Sequence, residues 1–206
     1  MMTKLLRIPN WINGCESSPV EDGWIDKFNP HNGEILCQVA DSTLVDANSA
    51  ITAAETVFPA WSELTPVKRG QILTDIVAVM KHRADELTNC IAVETGKPPQ
   101  DAKGEVGASI LQGEFFAGEG MRLYGRSLTS GMPGKQSFTV RQPRGIAGLI
   151  VPSNTPIANI AWKTFPALIC GNTIVLKAAE DAPRIALLFA QLTKEAGLPD
   201  GVFNVI

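Results

Sequence analysis

Four cysteines in 206 residues, with no Cys-x-x-Cys pair and only two histidines beside them, leave this sequence without zinc-site spacing or the density of a small disulfide scaffold. Cys15, Cys37, Cys90 and Cys170 are therefore read as free thiols in a reducing compartment. Basic runs are missing as well. Lys plus Arg is 18 against 21 Asp plus Glu, the net charge is −3, and both signs are scattered, so nothing forms an electrostatic footprint for nucleic acid. Long apolar runs are also lacking: Lys163 and Pro166 interrupt Ile157 to Cys170, and no stretch reaches the ~18 residues of a membrane span. At the N-terminus Lys4 and Arg7 break any hydrophobic core ahead of a cleavage site. The expectation is a soluble, unsecreted, cytoplasmic chain with no nucleic-acid or membrane partner. Charged residues are only 19% while hydrophobic ones reach 45%, so some apolar surface is expected to need a protein partner.

The length suits one large domain or two small ones. Between Trp11 and Ala40 the turn clusters Asn13-Gly14, Glu21-Asp22-Gly23 and Asn29-Pro30-His31-Asn32-Gly33 separate short apolar pieces and predict hairpins. Thr43-Leu44-Val45-Asp46 opens like a capping box, and Leu44, Ala47, Ile51, Ala54 and Phe58 keep helical spacing to an expected stop at Pro59. Thr65-Pro66 starts another helix, with Ile72, Ile76, Val79 and Met80 as its stripe, which continues or restarts toward Leu87 and Ile91 and ends at Gly96 and Pro98. A further helical stretch, about Asp101 to Tyr124, contains Gly104, Gly107, Gly113, Gly118 and Gly120. Each costs ~1 kcal/mol relative to Ala unless close packing uses the missing side chain, which predicts tight helix contacts. Phe138 and Val140, following a Met132-Pro133-Gly134 turn, mark 126–144 as an extended hairpin arm. From Gly145 onward strands at Ile146 to Val151, Thr173 to Leu176 and Val202 to Ile206 alternate with helices at about Ile157 to Cys170 and Pro183 to Ala196. This is a βαβαβ unit with right-handed crossovers. The fold class is α/β: hairpin and helical segments in 1–125, the arm in 126–144, and an incomplete parallel, Rossmann-like sheet in 145–206.

Ligands of open α/β sheets bind at the carboxyl ends of the strands, which directs attention to the loops after Val151 and Leu176. The first is Pro152-Ser153-Asn154-Thr155-Pro156. Asn154 is either a turn former and helix cap, or an amide donor aimed at a developing oxyanion. The second loop, Lys177-Ala178-Ala179-Glu180, holds either a surface ion pair of little energetic value or a cation and a carboxylate that bind ribose hydroxyls. No Gly-x-Gly-x-x-Gly follows Val151, so an ordinary pyrophosphate clamp is missing from this crossover.

The run Arg141-Gln142-Pro143-Arg144-Gly145-Ile146-Ala147-Gly148-Leu149-Ile150-Val151-Pro152-Ser153-Asn154-Thr155-Pro156 resembles the NAD(P)-dependent aldehyde dehydrogenase superfamily. So do Ala161-Trp162-Lys163, Pro166-Ala167-Leu168, Gly171-Asn172-Thr173, Val175-Leu176-Lys177, Glu180 and the stretch Ala196 to Val205. Earlier pieces share the resemblance: Ile12-Asn13-Gly14, Asn29-Pro30, Asn32-Gly33-Glu34, Phe58-Pro59-Ala60-Trp61-Ser62 and Glu94-Thr95-Gly96-Lys97-Pro98. The resemblance implies that Asn154 stabilises the tetrahedral oxyanion formed on an aldehyde substrate. It implies that Lys177 and Glu180, with Ala179 between them, grip the adenosine ribose, and that Val151, Pro152 and Ser153 lie along the cofactor. Lys163 is either the family's charge-relay lysine or a structural hydrogen-bonding group. A carboxylate at Glu180 favours NAD over NADP, because it binds a 2′-hydroxyl and repels a 2′-phosphate, although Lys177 could partly accommodate one.

Two departures stand next to these sites. Ser153 and Thr155 replace the Trp and Phe common in the family, and Ala178-Ala179 replaces a common Pro-Ser. Family members also continue well beyond the length of this chain, supplying a nucleophilic Cys, a general-base Glu and the rest of the sheet. The chain is accordingly expected to be truncated and inactive alone, with an exposed apolar edge at its last strand. The alternatives are a non-catalytic assembly module, one part of a split enzyme, or a fragment of a variant that acylates coenzyme A. In each, the 126–144 arm is expected to join homo- or hetero-oligomers.

Overall fold

The computed structural model describes residues 5–206, so Lys4 lies outside the described residues. Strands β1 (Arg7–Ile8), β2 (Asn10–Ile12), β3 (Cys15–Ser17), β4 (Trp24–Phe28) and β5 (Ile35–Ala40) open the chain. β2 and β3 form one hairpin around Asn13 and Gly14, both at positive φ (53° and 73°), as a two-residue turn between twisted strands requires. β4 and β5 form a second hairpin, joined by β1 running parallel to β5.

Helices α1 (Leu44–Glu63), α2 (Pro66–His82), α3 (Ala84–Thr95) and α4 (Pro99–Gly118) follow. The capping box at α1 is present in both directions: Thr43 Oγ1 accepts from Val45 N–H at 3.2 Å, and Asp46 Oδ2 accepts from Thr43 N–H at 2.9 Å. The expected stop at Pro59 does not occur, and the helix continues to Glu63. Pro59 removes only the bond to Glu55, whose exposed carbonyl can face water, while Trp61 one residue pair later is 1% exposed and donates its Nε1–H to Asn172 O at 3.1 Å. Tertiary anchoring of the last turn overrides the proline. α3 restarts after Arg83 and ends at Gly96 in the left-handed region, φ 74°.

The fourth helix is shorter than its pattern suggested, giving way at Gly118 to a 3-10 turn over Glu119–Met121. Of the five glycines in the helix and this turn, Gly113 and Gly120 answer to close packing. A Cβ at Gly113 would fall 2.5 Å from Val77 Cγ2, and one at Gly120 would fall 2.5 Å from Pro66 O. Gly104 and Gly107 face open space, so the tight-packing expectation holds for the second half of the helix only.

The arm consists of β6 (Ser127–Leu128) and β7 (Ser137–Phe138), paired antiparallel. Then come β8 (Ile146–Ile150), α5 (Pro156–Ile169), β9 (Thr173–Lys177), α6 (Pro183–Glu195) and β10 (Phe203–Val205). The main sheet has the order β3-β2-β10-β9-β8, with β8, β9 and β10 parallel and β2 antiparallel to β10. The expected open edge at β10 is therefore corrected: the N-terminal hairpin pairs with it, Val205 opposite Trp11, and Phe203, Asn204 and Val205 are all buried. Asn204 fastens this junction, accepting from Asn13 N–H at 2.9 Å and donating to Ile174 O at 3.1 Å. Apolar side chains reach the surface instead on β8, where Ile150 is 72% exposed.

One core runs through both the helical layer and the sheet, with Trp61, Leu73, Ile91, Ile157, Phe165, Phe189 and Val202 buried within it. Phe165, Phe189 and Phe203 meet edge to face at 6.1 and 5.5 Å. A buried acid links the layers. Glu94 of α3, 1% exposed, accepts from the first-turn N–H groups of Arg184 and Ile185 at 2.7 and 2.9 Å, and so caps α6, which has no side-chain cap of its own. Burial lifts its carboxyl to about 7, and the two N–H donors oppose that rise without cancelling it.

Between the ordinary 4.5 and about 7 the folded protein thus holds a proton at Glu94 that the unfolded chain has lost. This group's contribution to stability is complete at acid pH and falls as pH rises through that window, by at most about 1.4 kcal/mol per pH unit. Glu94→Gln should flatten this part of the slope, measured as urea unfolding at about pH 5 and about pH 8. A variant whose slope parallels the wild type would contradict the assignment.

Candidate functional site

The carboxyl ends of β8 and β9 carry the residues singled out from the sequence, and the structure brings the two loops together. Val151 N–H donates to Lys177 O at 3.3 Å, so both loops leave from hydrogen-bonded neighbours about 4.8 Å apart. Val151 is buried, Ser153 half-buried, and Pro152 and Asn154 are exposed. The side chain of Asn154 is oriented by a residue that sequence reading did not single out. Asn159, one turn into α5, donates from Nδ2 to Asn154 Oδ1 at 3.2 Å and to Thr155 O at 3.0 Å. With its oxygen accepting from Asn159, exposed Asn154 has a side-chain nitrogen that donates to no acceptor among the described residues. Lys163 projects from α5 back to the same strand end, where its ammonium donates to Ile150 O.

Lys177 Nζ donates to Glu180 Oε2 at 2.7 Å. The side chains are 52% and 61% exposed, so their attraction adds little to stability. The bond from Lys177, helped by Glu180's own backbone N–H and the lysine charge, holds the Glu180 carboxyl below the usual carboxylate range. Ala179 and Glu180 also line a cleft of about 320 Å³, floored by Pro183, Leu187, Val205 and Ile206. A larger cleft of about 710 Å³ lies between α2 and α4, but it contains none of these residues and sits away from the strand ends where α/β sheets bind ligands.

A dinucleotide offers ribose hydroxyls and a pyrophosphate, and the two fit this site differently. The ammonium and carboxylate at the end of β9 supply the donor and acceptor that a ribose diol needs. A pyrophosphate would seek the free N–H groups of a helix N-terminus. Those of α5 are taken by Glu105 of α4, whose Oε1 accepts from Ile157 and Ala158 N–H at 2.9 and 3.3 Å, as those of α6 are taken by Glu94. The missing glycine pattern after Val151 has its counterpart in helix ends already capped from within.

No thiol stands at the Asn154 end of the sheet. Cys37 is buried and pushed up to about 11 by desolvation and by Glu94, and burial raises Cys90 as well, again with Glu94 beside it. Cys170 follows the far end of the 14-residue helix α5, roughly 20 Å from Asn154. Cys15 lies on β3, four strands from β8 and so about 19 Å away. Among the described residues no helix is long and apolar enough to cross a membrane.

Residues 17–206 match the aldehyde dehydrogenase family. The NADP(+) succinate-semialdehyde dehydrogenase GabD of Escherichia coli strain K12 is 40% identical over 204 residues, covering 99% of this chain and 42% of that protein. Malonate-semialdehyde dehydrogenase of Bacillus subtilis strain 168 is 35% identical over 205 residues, covering 100% and 42%. The crystal structure of PnpE in complex with nicotinamide adenine dinucleotide superposes with a TM-score of 0.93 at 33% identity, over 96% of this chain and 41% of that one. The chain thus spans about 42% of the length of the curated relatives it matches.

The geometry of the Lys177–Glu180 pair gives a direct prediction. Lys177→Met should return the Glu180 carboxyl toward its ordinary range, followed by carbon-detected NMR titration, with the global stability nearly unchanged. A Glu180 titration identical in both proteins would show that the lysine does not control it.

Proposed function

This chain belongs to the aldehyde dehydrogenase family, and on that premise we propose that its strand-end site is the cofactor-gripping and oxyanion-holding part of an enzyme that oxidises an aldehyde to a carboxylic acid with NAD. The observation that carries the reading is the orientation of Asn154. Its amide oxygen is occupied by Asn159, which leaves its N–H donor without an acceptor among the described residues, beside the loop that starts from the same hydrogen-bonded strand pair as Lys177 and Glu180. A fixed amide donor is the group a tetrahedral oxyanion requires, and such a donor is worth ~3 to 4 kcal/mol in the transition state.

The nicotinamide cofactor supplies the hydride acceptor when bound. Lys177 and Glu180 hold its adenosine ribose, with Ala179 between them, and Val151, Pro152 and Ser153 form the strand end along which it lies. Of the two roles open to Lys163, charge relay or structural hydrogen bonding, its bond to the carbonyl of Ile150 favours the structural one, tethering that strand end. The lowered Glu180 carboxyl keeps a negative charge where a 2′-phosphate would come, which favours NAD over NADP. GabD, named for NADP(+), makes this the sharper half of the proposal.

The 206 residues alone carry this part of the reaction without a nucleophile, because every described thiol is remote from Asn154 or buried with a raised pKa. A second reading, in which the chain works as an assembly module or as one part of a split enzyme, rests on the arm. The arm supports association in either case. Its strands hold two residues each, too few to be stable unaided, and Leu128, Met132, Phe138 and Val140 are at least half exposed. Four free thiols accord with a cytoplasmic setting.

NAD titrated into the protein should move the amide signals of Ser153 and of residues 177–180, with NADP binding more weakly. Glu180→Gln should weaken NAD roughly tenfold and narrow the difference between the two cofactors. Shifts confined to other surfaces would overturn the cofactor assignment. In an assembly that contains this chain and oxidises succinate semialdehyde, Asn154→Ala should lower kcat about 100- to 1000-fold with NAD affinity unchanged. Retention of full kcat would remove Asn154 from the oxyanion role.

A further inference from the structure

Asn154 lies in a run of bends between Pro152 and Pro156, where no strand ladder or helix fixes the backbone. Two outside groups reach it. Asn159 holds its side-chain oxygen, and Lys97 Nζ donates to its backbone carbonyl at 3.0 Å. Lys97 comes from a different layer. It follows Gly96, whose left-handed φ turns the chain out of α3, and its side chain is only 18% exposed. The same ammonium forms an ion pair with Glu105 of α4, whose side chain is 4% exposed and whose other oxygen caps α5 through Ile157 and Ala158.

Both carboxylate oxygens of Glu105 are thus committed, one to the start of α5 and one to Lys97. Lys97 in turn spans the gap from that anchor to the loop just before α5. A lysine tied only to solvent-exposed acids would wander among rotamers, whereas this one is paired with a buried charge and has little freedom left. The position of the Asn154 carbonyl is therefore set by the α4–α5 junction rather than by the loop itself.

We propose that Lys97, anchored on Glu105, is a positioning residue for Asn154. It fixes the backbone carbonyl of the oxyanion-donor loop while Asn159 fixes the side-chain oxygen, which leaves Nδ2 of Asn154 to meet a reacting oxygen. The inference rests on the oxyanion reading of Asn154, and it adds to the site a residue that touches neither the cofactor contacts nor the reacting atoms. Displacements of about 1 Å in such a donor cost roughly 100-fold in rate, which gives the clamp its consequence.

The test needs no turnover. Nitrogen-15 relaxation of the protein should give Asn154, backbone and side-chain amide, an order parameter near the rigid value of about 0.85. In Lys97→Met it should fall below about 0.6 at Asn154 and its loop neighbours, with the order of the α5 interior retained. Lys97→Arg should restore it. Because Lys97→Met leaves Glu105 without its ion pair, the double variant Lys97→Met, Glu105→Gln provides the same readout with no unpaired buried charge and should also loosen Asn154. A lower unfolding midpoint with Asn154 as ordered as in the wild type, in both variants, would overturn the proposal and leave Lys97 a purely structural residue. Loss of order in Lys97→Met together with an Asn154→Ala enzyme of unchanged kcat would instead preserve the clamp and reject the oxyanion reading beneath it.

Discussion

The first-turn N–H groups of α5 and α6 emerge where water is largely excluded, and each must find an acceptor there. Both find it on a buried glutamate of the helical layer: Glu105 from α4 for α5, Glu94 from α3 for α6. These two carboxylates decide how the layers dock, because each bond pair sets the start of a crossover helix against a helix of the other layer. They also decide what the strand ends can bind. A helix N-terminus is ordinarily the natural anion site of an α/β sheet, and here both are filled from within. Charge at the site is left to side chains on the loops, chiefly Lys177 and Glu180.

That division of labour suits the proposed site, in which side chains rather than backbone meet a ribose and an oxyanion. The Lys177–Glu180 pair is exposed, as a group that trades partners with a ligand must be. Asn154 is the opposite case. Asn154 is exposed, yet its carbonyl and its amide oxygen are both held, the oxygen by Asn159 and the carbonyl by Lys97, which is paired with the buried Glu105. The proposed clamp thus draws on the core to hold an exposed side chain.

Much of the architecture was legible in sequence because local signals and tertiary packing agree. Asn13-Gly14 is a two-residue turn, Thr43 with Asp46 is a capping box, Gly96 ends a helix, and the alternation after Gly145 is a parallel βαβαβ unit. Pro59 failed as a stop because Trp61 anchors the turn beyond it, which no local pattern shows. The last strand was expected to be an edge and is not, since its neighbour comes from Trp11, nearly two hundred residues earlier. The loops after Val151 and Leu176 were found from the position of strand ends. Lys97 was visible only within a motif, without a role, and Glu105 not at all, because a glutamate on a glycine-rich helix reads as surface until burial is known. Asn159 was not singled out, because an amide one turn into a helix shows its partner only once the loop before it is folded.

The most direct test of the account is a crystal structure of this protein with NAD bound. The account predicts the adenosine ribose hydroxyls within hydrogen-bonding distance of Lys177 and Glu180, the cofactor passing along Val151 to Ser153, and the carboxylates of Glu94 and Glu105 still on the first turns of α6 and α5. A cofactor whose pyrophosphate sits on the N-terminus of α5 with Glu105 displaced, or one bound away from the ends of β8 and β9, would contradict it.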